Sequence, residues 1–471
     1  MQNDLRAHVD RALAATGETR CLALDRGVLA RTPEIFGREF GDKPALLVAD
    51  PNTFAAAGRA VREAFAGAGR ALAEPFIYSD PQLYAEHRFV VALEEVLRAQ
   101  PQAIPVAVGS GTINDLTKLA AHRAGRRYLA VATAASMDGY TAFGASITYK
   151  GSKQTFPCPA PSAVVADLEV IRAAPAELNA AGYADLMAKT VAGADWLLAD
   201  AVGTEPINEG AWEIVQGRLR EVLAKPEGVR SGDLDALRRL TQGLMLGGLA
   251  MVWARSSRAA SGAEHQFSHL WDMQHHTHAG KTPWHGFKVG IGTLAVTALY
   301  EYELSLPLAD LDLDQCCAQW PDEAAREKHA LELFEEGEAR NVALAESRAK
   351  AIDRAALRRQ LEKLWGLWPR LSERLREQLR PFAELRAMLQ AAGAPVEPEQ
   401  IGISRPRLRQ TFWQACLLRR RFTVLDLAAR TGTLERGLER LFGPGGRWDV
   451  EARGSGPVFS QKRPMWPMQP M

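Results

Sequence analysis

Cysteine is scarce in this chain. There are five in 471 residues, at Cys21, Cys158, Cys316, Cys317 and Cys416, an odd number without a C-x-x-C pair. That spacing excludes a disulfide framework and a zinc ribbon. A surplus of one charge sign is also missing: Lys plus Arg is 57, Asp plus Glu is 56, and the net charge is +1. The basic footprint of a nucleic-acid binder is therefore absent. No charge-free apolar run reaches the roughly 18 residues of a transmembrane helix. The opening stretch MQNDLRAHVDRALAATGETR has no apolar core of a signal peptide and reads as an amphipathic helix. A reducing cytoplasm is the expected compartment, with neither nucleic acid nor membrane as partner.

Tryptophan is missing from the first 195 residues, although the chain has eleven. In its place stand short apolar runs punctuated by Gly, Pro and Asp: CLAL (21–24), ALLVAD (45–50), IPVAVGS (104–110), YLAVAT (128–133) and SAVVAD (162–167). Continuous apolar runs of this length, alternating with helical patterns, fit parallel strands covered on both faces. Residues 1–170 are expected to form an α/β dinucleotide-binding domain with a mostly parallel sheet. From about Pro175 the apolar spacing becomes three-to-four, so residues 171–442 are expected to form an all-α domain. Residues 322–390, rich in Glu, Arg, Ala and Leu, read as solvated helices with many ion pairs. Residues 443–471 read as an irregular Gly/Pro/Met-rich tail. With 47% hydrophobic and 24% charged residues, the composition is globular.

Three stretches carry chemistry. In VAVGSGTINDLTKLAAHRA (106–124) a strand enters Gly109-Ser110-Gly111-Thr112-Ile113 and then a helix, whose first amides suit a phosphate. The full G-x-G-x-x-G pattern fails at Asn114, and a purely structural strand–Gly–helix turn explains this stretch equally well. After the next strand, Thr133, Ser136 and Asp138 emerge where ligands of open α/β sheets sit, although Asp138-Gly139 also suits a turn or cap. Histidine gives the strongest signal: six of ten fall between 265 and 285. His265 and His269 are four apart on one helix face, and His285 precedes a Gly-containing apolar helix. Imidazoles converging with a carboxylate make a transition-metal site, for which Asp185 is the obvious acid. His275, His276 and His278 read as a polar loop. Asp50 ends a strand where such domains meet the adenosine ribose, with a turn built on Asp-Pro-Asn as the alternative.

Taken in order, Gly-Ser-Gly-Thr-Ile-Asn-Asp-x-x-Lys (109–118), Thr-x-x-Ser-Met-Asp-Gly (133–139), Ala-Ser-Ile (145–147), Phe-Pro-x-x-Ala-Pro-x-Ala-Val-Val-Ala-Asp (156–167), Gly-Tyr-Ala-Asp-Leu-x-Ala-Lys (182–189), Ser-Gly-x-Glu-His-x-Phe-Ser-His (261–269) and His-Gly-x-x-Val-Gly-x-Gly-Thr (285–293) carry a resemblance. The chain resembles the sn-glycerol-1-phosphate dehydrogenase family, in its bacterial AraM-like branch, within the iron-containing alcohol dehydrogenase and dehydroquinate synthase superfamily. The resemblance runs over about residues 20–300. It implies a dehydroquinate-synthase-like fold and a metal-dependent NAD(P)-linked enzyme interconverting dihydroxyacetone phosphate and sn-glycerol 1-phosphate. It further implies zinc or nickel on Asp185, His265 and His285, and cofactor contacts from Gly109 to Ile113, Thr133 and Ser136. Asp138 matches a substrate-binding carboxylate. The family usually has Ser four residues after that Asp, where Ala142 stands beside Thr141 here. It often has Glu two residues after the second His ligand, where this chain has Phe287 and then Lys288.

NAD is expected over NADP because Asp50 would repel a 2′-phosphate. Lys189, Lys288 and His269 are candidates for the substrate phosphate, and His269 also for a proton relay. A homodimer is expected. The rival readings are a glycerol or polyol dehydrogenase, a dehydroquinate-synthase-like enzyme, and a degenerate sensor of nucleotide or phosphometabolite.

Overall fold

The computed structural model describes residues 2–150 and 152–451; the end of the tail expected to be irregular lies outside the described residues, and its start, 443–451, runs as turns. Among the described residues eight strands form: β1 (Cys21–Asp25), β2 (Ala45–Ala49), β3 (Phe76–Ile77), β4 (Ile104–Gly109), β5 (Leu129–Ala132), β6 (Ala145–Tyr149), β7 (Ser152–Phe156) and β8 (Ala163–Asp167). Six of them make one sheet in the order β1-β8-β5-β4-β2-β3, with every pairing parallel. Each of the five apolar runs read from the sequence is a strand of it. The cause is visible in burial: β2, β4, β5 and β8 are buried along their whole length, as strands covered on both faces must be. Val, Leu, Ile and Ala side chains of these strands pack with Ile35, Phe36, Val61 and Phe65 into the core.

Strand order positions the site. The chain runs from β2 out to the edge at β3 and then crosses back to β4 on the other side of β2. A reversal of this kind opens a crevice at the carboxyl ends of the flanking strands. Gly109 pairs with Ala132 at the last rung of β4 and β5, so the Gly109–Ile113 turn and the segment starting at Thr133 leave the sheet side by side. The two-residue β3 and the antiparallel hairpin of β6 and β7 have no counterpart among the five apolar runs.

Contacts divide the chain into two compact units: Met1–Leu186 with Asn208–Ala260 and Ala391–Ala394, and Met187–Ile207 with Ser261–Gln390 and Pro395–Met471. The first unit is larger than the expected 1–170. Helices Gln2–Thr16, Leu168–Ala173 and Glu209–Gln216 all pack on the long helix Leu234–Ala254, whose apolar residues are buried along most of its length. The second unit is helical throughout its described residues. Its charge-rich part forms Glu323–Leu333, Glu338–Ala349 and Arg354–Gln378, the last burying Leu357, Leu361, Leu364, Leu371 and Leu375 along one stripe. Buried Asp195 ties this unit together, accepting from the backbone N–H of Ala263 (2.7 Å) and Val424 (2.9 Å) and from the Tyr300 hydroxyl (2.6 Å).

Candidate active site

The turn after β4 leads into the helix Gly111–Arg123, and Ser110 precedes it without a side-chain cap. The first-turn amides are thus left for a ligand. The rest of the Gly-Ser-Gly-Thr-Ile-Asn-Asp-x-x-Lys motif has a different job. Lys118, fully buried, donates to the carbonyls of Gly139 (2.9 Å), Ala142 (2.9 Å) and Gly144 (3.0 Å). Asn114 donates to Gly139 O (3.3 Å) and accepts from the Tyr128 hydroxyl (3.0 Å). These side chains clamp the loop that carries Asp138. Asp115 beside them accepts from Ser146 N–H (3.1 Å); burial pushes its carboxyl above the usual range, against the pull of Lys118.

The loop from Thr133 is held from its other side by the helix Ala176–Met187. Asn179 accepts from Ala135 N–H (3.1 Å), and Asp185 Oδ2 accepts from the backbone N–H of Asp138 (3.2 Å). The contact is so close that a Cβ at position 182 would stand 1.8 Å from the Ala135 carbonyl oxygen, and only glycine fits. The Gly-Tyr-Ala-Asp motif therefore joins a packing requirement, Gly182, to the candidate ligand Asp185, which is fully buried near the end of its helix.

The two other expected ligands come from adjacent helices, Ala263–Met273 and His285–Ser305. Gly292 permits their approach: a Cβ there would lie 2.5 Å from the backbone oxygen of Glu264. The His265 and His285 rings are 5.4 Å apart, with His269 at 6.0 and 6.3 Å from them. Asp185, His265 and His285 each offer one ligand atom, and these three atoms lie within 4.8 Å of one another. Among the described residues this is the one group of His, Cys, Asp and Glu that could hold a metal ion.

Glu264 was legible only as the residue before His265, yet it organises the site. Fully buried, it meets His265 Nδ1 at 2.7 Å and accepts from Gly262 N–H at 2.7 Å. A carboxylate only accepts, so Nδ1 carries the ring proton and the Nε2 lone pair is left for a cation. Ser268 Oγ lies 3.3 Å from His285 Nδ1 and can accept in the same way. One hard carboxylate and two imidazoles with their outer nitrogens engaged are a donor set that fits a divalent transition metal.

The remaining candidates separate. His276 receives from Arg407 Nη1 at Nδ1 (2.9 Å) and meets Ile401 O at Nε2 (2.7 Å), while His278 pairs its backbone with Lys281; these are loop contacts, as expected. Lys288 is buried and ion-paired with Asp272. Lys189 opens the helix Lys189–Val202 and is buried. His269 Nδ1 lies 2.8 Å from Arg419 Nη2, a partner 150 residues away that no sequence pattern indicated. Asp50 caps the turn at Pro51–Thr53, its Oδ1 accepting from Asn52 N–H (2.8 Å) and Thr53 N–H (3.0 Å), so the Asp-Pro-Asn turn is present. Thr133 is buried, with its N–H on Gly109 O (3.1 Å), and Ser136 is half-buried.

Comparison with known proteins places the chain among described enzymes. Residues 23–175 match the iron-containing alcohol dehydrogenase family. The glycerol-1-phosphate dehydrogenase (NAD(P)+) of Halalkalibacterium halodurans is 34% identical over 284 residues, which are 60% of this chain and 71% of that protein. The enzyme of the same name from Pyrococcus furiosus is 35% identical over 60% of this chain and 78% of its own length. A probable glycerol dehydrogenase from Sinorhizobium meliloti shares the fold, with a TM-score of 0.58 at 15% identity over 89% of this chain and 96% of that one. No helix among the described residues is long and apolar enough to cross a membrane. The chain belongs to the glycerol-1-phosphate dehydrogenase family of the iron-containing alcohol dehydrogenases.

Proposed function

We propose that this chain is a metal-dependent NAD(P)-linked oxidoreductase interconverting dihydroxyacetone phosphate and sn-glycerol 1-phosphate. The observation that carries the reading is the convergence of Asp185, His265 and His285 in a chain of this family. When bound, a zinc or nickel ion would polarise the substrate carbonyl as a Lewis acid, and the nicotinamide would exchange the hydride. The protein's own part is positioning. Gly109 to Ile113, Thr133 and Ser136 would hold the cofactor phosphates and nicotinamide against the sheet edge. Asp138 would fix a substrate hydroxyl, its loop held by Lys118, Asn114 and Asp185. His269, with Nδ1 occupied by Arg419, carries its proton on Nε2 and can donate it to a substrate oxygen. Lys189 and Lys288 are lesser phosphate candidates, since burial and the Asp272 pair restrain them.

NAD is the preferred cofactor in this reading. Asp50 uses one carboxylate oxygen as a cap, and its second oxygen can accept from the adenosine ribose. A homodimer belongs to the same reading, as does a cytoplasmic location, which the five free thiols support. The test is oxidation of NADH with dihydroxyacetone phosphate, against oxidation of glycerol with NAD. Turnover of the first pair supports the proposal; turnover of glycerol alone replaces it with a polyol dehydrogenase.

A further inference from the structure

The connector 417–423, between the helices Arg405–Cys416 and Val424–Thr431, carries three consecutive arginines. Each is used differently. Arg420 grips Glu346 from its backbone N–H (2.8 Å), Nε (3.0 Å) and Nη2 (2.7 Å). Arg421 Nη1 donates to Ser261 O (2.9 Å), fastening the connector just ahead of the helix that bears His265 and His269. Leu418 and Phe422 are buried on either side and fix its path. Arg419, half-buried between them, places Nη2 2.8 Å from His269 Nδ1.

That placement leaves the guanidinium short of an anion. A guanidinium taken from water is costly unless a negative charge accompanies it, and desolvation here pulls Arg419 below the ordinary arginine value. Glu346 pulls the other way, but its two oxygens are already engaged by Arg420. Among the described residues no carboxylate forms a salt bridge with Arg419; the group its Nη2 meets is an imidazole. Imidazole Nδ1 must accept from a guanidinium, which has no acceptor, so His269 Nε2 carries a proton. Arg419 therefore brings a positive charge without a paired carboxylate to a point one imidazole away from His265 and His285.

We infer that Arg419, with His269 beside it, binds the phosphate of the substrate and sets the preference for a phosphorylated three-carbon compound over the free polyol or ketone. This rests on the dehydrogenase reading for the identity of the substrate, and the anion site itself does not. The planar fork of Arg suits two phosphate oxygens at once. The phosphate dianion would complete the charge that the fold leaves open at Arg419.

The experiment compares wild type with Arg419→Met, Arg419→Lys and, as a neighbouring control outside the site, Arg420→Gln. Two readouts are taken: kcat and KM for dihydroxyacetone phosphate and for dihydroxyacetone, and calorimetric binding of inorganic phosphate. Arg419→Met should lower the ratio of kcat/KM for the phosphorylated over the unphosphorylated ketone roughly 10- to 100-fold, the range of one lost charge-assisted hydrogen bond, mainly through KM. Arg419→Lys should restore part of it, Arg420→Gln should leave it unchanged, and phosphate binding should weaken in step. An unchanged ratio with unchanged phosphate binding in a folded Arg419→Met overturns the inference. If that variant does not fold, Arg419→Lys, which keeps the charge but loses the fork, decides in its place: a ratio and phosphate binding equal to wild type overturn the inference there too. A wild type that ignores dihydroxyacetone phosphate yet binds inorganic phosphate through Arg419 overturns the dehydrogenase reading alone.

Discussion

Glu264 decides which nitrogen of His265 faces the ligand atoms of Asp185 and His285. Replacing it by Gln keeps the volume but allows the amide to turn its NH2 toward Nδ1, so the ring tautomer is no longer enforced. Outer partners of this kind are typically worth about 10- to 100-fold in metal affinity, and Glu264→Gln should lose that much zinc or nickel affinity while remaining folded. Competition against a chromophoric chelator measures it; an affinity within about twofold of wild type means the tautomer is fixed by something else. A second prediction concerns Asp50. Asp50→Ala should narrow the preference for NADH over NADPH, and higher catalytic efficiency with NADPH in the wild type contradicts the role assigned to it. His265 and His285 were legible because a dense histidine cluster stands out in sequence, and Asp185 because it sits in the Gly-Tyr-Ala-Asp motif that carries the resemblance. Arg419 was not, because a partner 150 residues away leaves no periodicity or spacing around His269.

Strands with continuous apolar runs could be read directly, since burial on both faces leaves no other pattern. The hairpin Ala145–Tyr149 and Ser152–Phe156 was hidden because its polar residues, ASITYKGSKQTF, look like a loop when pairing is local and half-exposed. Helix-to-helix approach was equally invisible. Gly292 reads as one of several glycines until the Glu264 backbone oxygen is seen 2.5 Å from its would-be Cβ. Gly292→Ala should cost about 1–3 kcal/mol of stability and weaken metal binding, because the helices carrying His265 and His285 must move apart; a denaturant midpoint equal to wild type would show the approach is not tight. Lys118 tests the loop clamp. Lys118→Met leaves the buried carbonyls of Ala142 and Gly144 without this donor, while Gly139 O keeps the Asn114 amide, and should cost about 3 kcal/mol together with a rise in KM for substrate; a loss under about 1 kcal/mol would mean that Lys118 does not hold the loop.

At the scale of the whole molecule, stability depends on pH. Glu303, fully buried near the end of the second histidine helix, has its carboxyl pushed up to about 8 by desolvation, although the Thr433 hydroxyl at 2.8 and 2.9 Å favours the ion. The unfolded chain releases this proton near the ordinary glutamate value of 4.5. Between those values the native state binds more protons, so stability is fully present below about pH 4.5 and falls as pH rises through 8. At about 1.36 kcal/mol per unit the loss is bounded at about 5 kcal/mol. Glu303→Gln should therefore gain stability over wild type at pH 9 and little at pH 5, and a gap that does not widen with pH contradicts the assignment. Activity, in the function proposed above, has a separate requirement: one metal held by Asp185, His265 and His285, on which the reduction of dihydroxyacetone phosphate depends. It is tested by the fall in NADH absorbance with dihydroxyacetone phosphate, in wild type and in Asp185→Ala, before and after chelation and add-back of zinc or nickel. Turnover should disappear on chelation, return with metal in the wild type and not return in Asp185→Ala. Undiminished turnover after complete removal of metal would contradict it.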